Sequence, residues 1–146
     1  MGVQRAQREA EIAAPPQACF DALLDFESWP DWQPGISSAV VHERDEEGRG
    51  SLVEFEADAV VKKIRYTVRY AYDPPQRMSW VLVEGTVKKG DGEFVLTPLD
   101  GGARTHALYR LESDLGFYVP GPLLKKGTEQ LMGGVMRGLK ERVEAR

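Results

Sequence analysis

Hydrophobic and polar residues alternate with a period of two through the middle of the chain, from Ile36 to Leu111. This pattern predicts half-buried strands, because successive side chains of a strand point to opposite faces of its sheet. Short stretches rich in Gly, Pro and Asp separate most of these strands, and such short connections make neighbouring strands antiparallel. The predicted strands are 36–43, 50–59, 64–73, 77–87, 92–99 and 103–112.

The predicted strands 50–59 and 64–73 show the alternation most clearly. Acidic residues at 54, 56 and 58 alternate with an apolar row on the first strand. On the second strand, Arg65 and Arg69 alternate with aromatic and aliphatic residues. If the two strands form a hairpin, the acidic row lies opposite the basic row on the outer face. Such cross-strand pairs contribute a few tenths of a kcal/mol each and help to set the register.

A helical period of 3.6 replaces the strand pattern on both sides of this region. The weakly alternating stretch 3–12 is consistent with an edge strand, and the Pro15–Pro16 pair then begins a short helix that ends near Pro30. Near the C-terminus, apolar residues from Leu124 to Val143 fall on one arc of a helical wheel, which predicts a long amphipathic helix.

Three glycines, Gly127, Gly134 and Gly138, lie on one flank of that apolar arc. Each costs about 1 kcal/mol relative to alanine inside a helix. Their clustering indicates that a backbone or a ligand approaches the helix closely, and tight packing of the helix on the sheet is the interpretation we favour.

Composition and charge narrow the classes of function. A chain of 146 residues is the length of one domain, taken here as 1–146. The net charge of −4 gives no reason to expect nucleic acid as a partner. No apolar run is long enough for stable membrane insertion, and the N-terminus lacks a secretory signal. The single cysteine, Cys19, excludes an internal disulfide and fits a cytoplasmic location. The oligomeric state stays open.

Known catalytic and metal-binding motifs are missing from the sequence. The two histidines, His42 and His106, are far apart and lie on predicted strands, so we expect no metal site. No nucleophile elbow, P-loop or dinucleotide fingerprint occurs, and we expect no cofactor and assign no catalytic residue. Glu84 shares the face of its predicted strand with Trp80 and Leu82. If that face is turned inward, Glu84 is the one carboxylate expected to point toward the interior, as a general base or a ligand anchor, and the alternative is a position near the strand end, paired with Arg or Lys or solvated.

Four stretches of the sequence are similar to a known superfamily: "FDALLDFESWPDWQPGISSAVV", "VRYAYDPPQRMSWVLVEG", "DGEFVLTPLDGGARTHALYRLE" and "LMGGVMRGLKERVEA". Together with the order of elements, they resemble the START-like helix-grip (SRPBCC) superfamily, in its polyketide cyclase/dehydrase and coenzyme-Q-binding branch. The resemblance implies an α+β fold. In this fold a curved antiparallel sheet, with short helices after the first strand, wraps around a long C-terminal helix and leaves a deep cavity between them.

The resemblance implies that the cavity binds or transports a hydrophobic small molecule such as a lipid, a quinone or a polyketide-like compound. The alternatives are a cofactor-independent polyketide cyclase or dehydratase, and a stress or interaction protein whose cavity is filled by its own side chains. Whether the chain is an enzyme stays open, with binding favoured. The expected ligand-binding residues are Trp32, Phe55, Tyr66, Val68, Tyr70, Trp80, Leu82, Glu84, Phe94, Tyr109, Phe117, Leu131, Met132, Val135 and Met136.

Two further segments of the sequence leave alternatives open. In "SWPDWQPG", Pro30 and Pro34 predict a stiff loop, in which Trp29 and Trp32 are either both core residues or divided between the core and the cavity border. The segment 116–122 is either a lid over the cavity or a rigid connector. Phe117 and the apolar residues after it also suit contact with a membrane surface, although the adjacent pair of lysines at 125 and 126 is a weak electrostatic anchor.

Overall fold

The fold consists of a curved antiparallel sheet, short helices after its first strand and one long C-terminal helix. The computed structural model describes residues 2–33, 35–59 and 61–145. A 3₁₀ turn at Phe26–Ser28 joins the two short helices. The elements are β1 (Gln4–Ile12), α1 (Pro16–Leu24), α2 (Trp29–Trp32), β2 (Ile36–Arg44), β3 (Gly50–Ala59), β4 (Lys62–Asp73), β5 (Arg77–Gly85), β6 (Lys89–Leu99), β7 (Arg104–Asp114) and α3 (Gly121–Glu144).

The strands are ordered β1-β7-β6-β5-β4-β3-β2, so β2 to β7 form a meander and β1 pairs with β7 at one edge. In a meander, alternate turns lie at the same end of the sheet. The turns β2–β3, β4–β5 and β6–β7 therefore share one end. The turns β3–β4 and β5–β6 share the other end with the segment that leads from β7 into α3. The predicted fold class is confirmed.

The β3–β4 hairpin has the register that places acidic and basic rows together on the outer face. Glu56 is the partner of Arg65, and Asp58 is the partner of Lys63. The Lys63 ammonium lies 3.7 Å from the Asp58 carboxylate, and Arg65 lies 3.4 Å from Glu54. The other face of both strands is therefore turned toward the interior. A shift of the register by one residue would bury these charges, so the charged rows help to hold the register.

Two segments differ from the elements predicted by the sequence. The glycine-containing stretch 88–92, expected in a hairpin loop, continues β6, which begins at Lys89. Gly92 is needed there because a side chain at this position would run into the Trp80 indole. The stretch around Pro30, expected to be a loop, contains the single helical turn α2. Pro34 lies outside the described residues.

The interior is solid where the short helices meet the sheet. Phe20 and Leu23 on α1, together with Phe26 after it, are at most 1% exposed. Gly138 of α3 packs closely against α2: a Cβ at Gly138 would lie 2.5 Å from the Trp32 carbonyl oxygen. This contact supports tight packing as the reason for that glycine. Among the described residues, no helix is long and apolar enough to cross a membrane.

Candidate functional site

A cavity of about 350 Å³ lies between the inner face of the sheet and the first half of α3. Its sheet wall is largely aromatic and its helix wall is aliphatic. The structure places nine of the fifteen predicted residues on these walls: Phe55, Tyr66, Val68, Tyr70, Trp80, Phe94, Tyr109, Leu131 and Val135.

The aromatic wall arises from cross-strand pairing on the inner face. Phe55 is paired with Tyr66, Tyr70 with Trp80, and Phe94 with Tyr109. The Phe94 and Tyr109 rings stack at 4.5 Å between centroids, and the Trp80 ring lies 5.6 Å from Phe94. Aromatic cross-strand pairs of this kind stabilise a sheet while presenting ring surface on one face. The period-two pattern thus accounts for the wall directly.

The prediction that Trp32 borders the cavity is wrong, and Trp29 takes that position. Trp29 is 6% exposed, lines the cavity and stacks on Phe55 with 5.0 Å between ring centroids. Its indole N–H donates to the Leu23 carbonyl oxygen at 3.2 Å. The Trp32 N–H instead donates to Ser28 Oγ at 3.0 Å, and its ring lies against α3. The helical turn α2 brings the two indoles edge to face, with 6.4 Å between ring centroids, and only Trp29 is among the residues that line the cavity.

The prediction that Glu84 faces the cavity is also wrong, and a β-bulge is the reason. Val68 is paired with Leu82, but the preceding residue, Thr67, is paired with Glu84. Val83 is therefore an extra residue in β5, and the side chains after it change face. Glu84 is exposed on the outer side of the sheet. Leu82 still points inward and is half-buried against the core, outside the cavity lining.

Three other predicted residues lie beside the cavity rather than on its wall. Met132 and Met136 are 2% and 4% exposed and belong to the solid part of the core. One helical step of about 100° separates them from Leu131 and Val135, which do line the cavity. Phe117 is half-buried against a small apolar cluster formed by Ala57, Ile64 and Val87, with the Lys62 ammonium 4.2 Å from its ring centroid.

Sequence reasoning missed several lining residues that the structure shows. Ile64 and Leu111 could have been found, because they share the inward parity of their strands with Tyr66 and Tyr109. The positions of the other lining residues depend on how loops and helices are placed, and nothing in the local sequence marks them. The additional lining residues include Trp29, Gln33, Ile36, Ala57, Ala59, Ile64, Val87, Lys89, Leu111, Ser113, Leu115, Leu124 and Thr128.

Three tyrosine hydroxyls give the apolar cavity its polar character. The hydroxyl of Tyr72 donates to the Gly50 carbonyl oxygen outside the cavity. Tyr66, Tyr70 and Tyr109 all line the cavity. Within residues 2–33, 35–59 and 61–145, their hydroxyls have no hydrogen-bond partner. Burial raises the pKa of Tyr66 to about 12 and raises the pKa values of Tyr70 and Tyr109 further. At neutral pH these phenols are therefore protonated hydrogen-bond donors.

Gln33 supplies a fourth polar group at the end of α2. Its backbone N–H donates to the Trp29 carbonyl oxygen at 2.8 Å, which holds the residue against the cavity. The side chain belongs to a residue only 5% exposed, and Nε2 has no hydrogen-bond partner among the described residues. Leaving a buried amide donor unpaired costs about 1–3 kcal/mol, so a bound acceptor at this position would be favourable.

The cavity opens at the end of the sheet formed by the β3–β4 and β5–β6 turns. We define the mouth by its partly exposed lining residues Ala59, Lys89, Ser113, Leu115 and Leu124. Lys89 is the lysine among these lining residues, and its ammonium donates to Asp91 Oδ2 at 2.8 Å on the outer face of the sheet, a bond that raises the pKa of Lys89. The charge of Lys89 is thus balanced outside the cavity.

The segment 116–122 begins just beside the mouth. Gly116 has a φ of +79°, and its N–H donates to Asp114 Oδ1 at 3.0 Å. Val119 is 3% exposed and anchors the segment, whereas Tyr118 is 74% exposed. Movement of this segment as a lid stays a prediction.

Comparison with known proteins gives the chain a family. A family model described as polyketide cyclase/dehydrase and lipid transport matches residues 3–144. No curated protein matches the chain significantly. Many solved structures share the fold, and the START-like helix-grip superfamily expected from the sequence is confirmed.

Three of these structures illustrate the likeness. A START superfamily protein from Mycobacterium smegmatis is 24% identical, with a TM-score of 0.84 and 97% of each chain covered. The Zhui aromatase/cyclase from Streptomyces sp. R1128 is 17% identical, with a TM-score of 0.83 and 99% of this chain and 96% of that one covered. TTHA0849 from Thermus thermophilus is 26% identical, with a TM-score of 0.78 and coverage of 97% and 98%. With a family model that spans nearly its whole length, the chain belongs to the polyketide cyclase/dehydrase and lipid transport family.

Proposed function

We propose that this protein binds and carries a neutral, hydrophobic small molecule with oxygen substituents, such as a quinone, a polyketide-like compound or an oxygenated lipid. The observation that carries the proposal is the set of unpartnered hydroxyls of Tyr66, Tyr70 and Tyr109 in an otherwise aromatic cavity. Phenols that remain protonated donate hydrogen bonds to ketone, quinone or ester oxygens. The aromatic rings around them supply the apolar contact area that a flat or polycyclic ligand requires.

The dimensions and charge of the cavity support the same ligand class. Its volume of about 350 Å³ lies at the lower end of the range found for small-molecule sites. An anionic ligand would lose its hydration without gaining a free cation, because the ammonium of Lys89, the lysine among the described lining residues, is bound to Asp91 on the outer face of the sheet. A neutral carbonyl compound avoids this cost and gives the buried Gln33 amide an acceptor.

The proposal is tested with two probes of the same shape, 9,10-anthraquinone and anthracene. Both bury the same rings, and only the quinone has oxygens that accept hydrogen bonds. Quenching of the fluorescence of Trp29 and Trp80, which both line the cavity, reports binding. We expect the wild-type protein to bind the quinone more tightly than the hydrocarbon.

A matched set of variants separates hydrogen bonding from simple apolar binding. Each of Tyr66→Phe, Tyr70→Phe and Tyr109→Phe removes one donor and keeps the ring, and removal of a donor that bonds the quinone should weaken its binding by about two- to tenfold. The affinity for anthracene should stay unchanged in all three variants. Tyr118→Phe, at an exposed site, is the control and should change neither affinity. Equal affinity of the wild-type protein for both probes, or no effect of the three substitutions, would refute the proposal.

A cyclase or dehydratase activity is the second candidate, and the protonated tyrosines are the observation that favours it. A phenol that donates to a substrate carbonyl stabilises negative charge developing on that oxygen. The carboxylate among the described lining residues is Asp58, which is exposed and lies 3.7 Å from the Lys63 ammonium, and Glu84 lies outside the cavity, so neither is a buried partner base. Native mass spectrometry of protein purified from its own host, followed by extraction, identifies the bound molecule. Recovery of an unchanged ligand supports a carrier, whereas conversion of added ligand to a new product supports an enzyme.

The remaining expectations belong to the same proposal. Residues 1–146 form a single START-like ligand-binding domain that acts in the cytoplasm, where a thiol such as that of Cys19 stays reduced. Cys19 is buried on α1 and free of any disulfide.

A further inference from the structure

The lysines of this chain are concentrated around the cavity mouth. The sequence contains seven lysines, and six of them lie on the turns and element ends at that end of the sheet. Only Lys140, near the end of α3, is elsewhere. The six are Lys62, Lys63, Lys88, Lys89, Lys125 and Lys126.

Contacts show that these lysines come from segments that meet in space. The Lys62 ammonium of β4 lies over the Phe117 ring of the segment before α3. The Lys88 side chain, between β5 and β6, packs against Gly116 of the same segment. Lys125 and Lys126 follow shortly afterwards in the chain, on the first part of α3. The lysine pair visible in the sequence is therefore joined by cations from two other turns.

Most of this positive charge is not balanced locally. Lys63 lies 3.7 Å from Asp58 and Lys89 lies 2.8 Å from Asp91. Among the described residues, no carboxylate lies within 4.0 Å of the ammonium groups of the other four lysines, Lys62, Lys88, Lys125 and Lys126. At the opposite end of the sheet, by contrast, the basic residues are arginines in ion pairs, such as Arg49 with Asp45 and Arg104 with Glu11.

Large apolar side chains protrude between these lysines. Tyr118 is 74% exposed, Val61 is 56% exposed and Leu123 is 44% exposed. They lie on the β3–β4 turn, on the segment before α3 and at the start of α3, which are the same segments that carry the lysines. We call this set of apolar side chains and lysines the rim.

We propose that the rim docks on the surface of an anionic lipid bilayer. Lysines near a negatively charged membrane contribute about 1 kcal/mol each, and apolar side chains beside them enter the boundary between headgroups and acyl chains. An acidic protein partner would match the charge but not the scattered, strongly exposed apolar side chains. The cavity mouth lies within the rim, so a docked molecule would exchange an apolar ligand with the bilayer without exposing it to water.

Docking is tested by sedimentation of the full chain with vesicles of phosphatidylcholine alone and of phosphatidylcholine mixed with phosphatidylglycerol. We expect binding to the mixed vesicles at low salt, and a strong decrease as added salt screens the charges. The variant Lys125→Gln/Lys126→Gln should lower the partition coefficient more than about tenfold. Tyr118→Ser should lower it several-fold at the same charge.

The control variant is Arg69→Gln/Arg137→Gln, which removes the same charge from exposed positions outside the rim. It should bind the mixed vesicles like the wild-type protein. Equal loss in the control variant, or no binding of the wild-type protein to mixed vesicles at low salt, overturns the proposal and leaves an acidic protein as the partner to test. Neither Lys125 nor Lys126 lines the cavity, so anthraquinone binding is unchanged in the rim variant and reports the ligand proposal separately.

Discussion

The two ends of the inner sheet face are packed differently although both are lined by large apolar side chains. At the end with the β2–β3, β4–β5 and β6–β7 turns, α1 and the turn after it insert Phe20, Leu23 and Phe26, and the interior is solid. At the other end the first half of α3 covers the sheet, with Trp29 and Gln33 at the border of the short helices, and the cavity remains. The difference shows that the position of the short helices, and not the composition of the strands, decides where the cavity lies.

The largest effect is expected at the solid end. Phe26 is 1% exposed and contacts the rings of Trp29, Phe55 and Tyr70. Phe26→Ala should lower the free energy of unfolding by about 3–5 kcal/mol, measured by urea denaturation, because it opens a void in a packed core. Leu131→Ala on the cavity wall should cost only about 1 kcal/mol, since its side chain is only half-buried. Similar losses for both variants would contradict the comparison.

Added volume tests the same contrast in the opposite direction. Ala107, 0% exposed on β7, has no room for a larger side chain, so Ala107→Phe should destabilise the protein by about 1–3 kcal/mol. Ala57 lines the cavity, and Ala57→Phe should leave the free energy of unfolding nearly unchanged while abolishing anthraquinone binding. Calorimetry and fluorescence quenching measure the two outcomes. A strongly destabilised Ala57→Phe would mean that the open end is already filled.

Alkaline pH should destabilise the fold through its buried tyrosines, and Tyr66 on the cavity wall shows how. The pKa of Tyr66 is about 12 in the folded protein and 10.0 in the reference state, because burial disfavours the phenolate. Between these values the unfolded chain loses the proton and the folded chain keeps it. The stabilising contribution is therefore complete below pH 10 and is lost as the pH rises toward 12. Urea denaturation across this range should show the decline, and Tyr66→Phe should make it less steep. An unchanged slope in the variant would contradict burial of this hydroxyl.

The smallest effect is expected at Glu84, outside both ends of the core. Its exposed carboxylate lies on the outer face after the bulge at Val83. Glu84→Gln should change the free energy of unfolding by no more than about 0.5 kcal/mol and leave anthraquinone affinity unchanged. A large loss of binding would instead restore a direct role for this carboxylate.

Much of the sheet wall was predictable because a strand repeats every two residues. Parity alone predicts that Tyr66, Val68 and Tyr70 lie on the inner face, and all three line the cavity. Parity failed at Glu84, since a bulge inserts one residue without any mark in the local sequence. On α3, the apolar arc is wide enough to cover both cavity and core, so Leu131 and Met132 could not be separated by periodicity.

The sequence alone determined the alternation of the strands, the amphipathic long helix and the family, because these depend on local periodicity and on nearly the whole chain. Only the tertiary structure decided which indole of "SWPDWQPG" meets the cavity, why Gln33 is buried, and that six lysines gather around one opening. Those features join residues that are distant in the chain. Their positions depend on how the turns and helices pack, which no local pattern of hydrophobic and polar residues specifies.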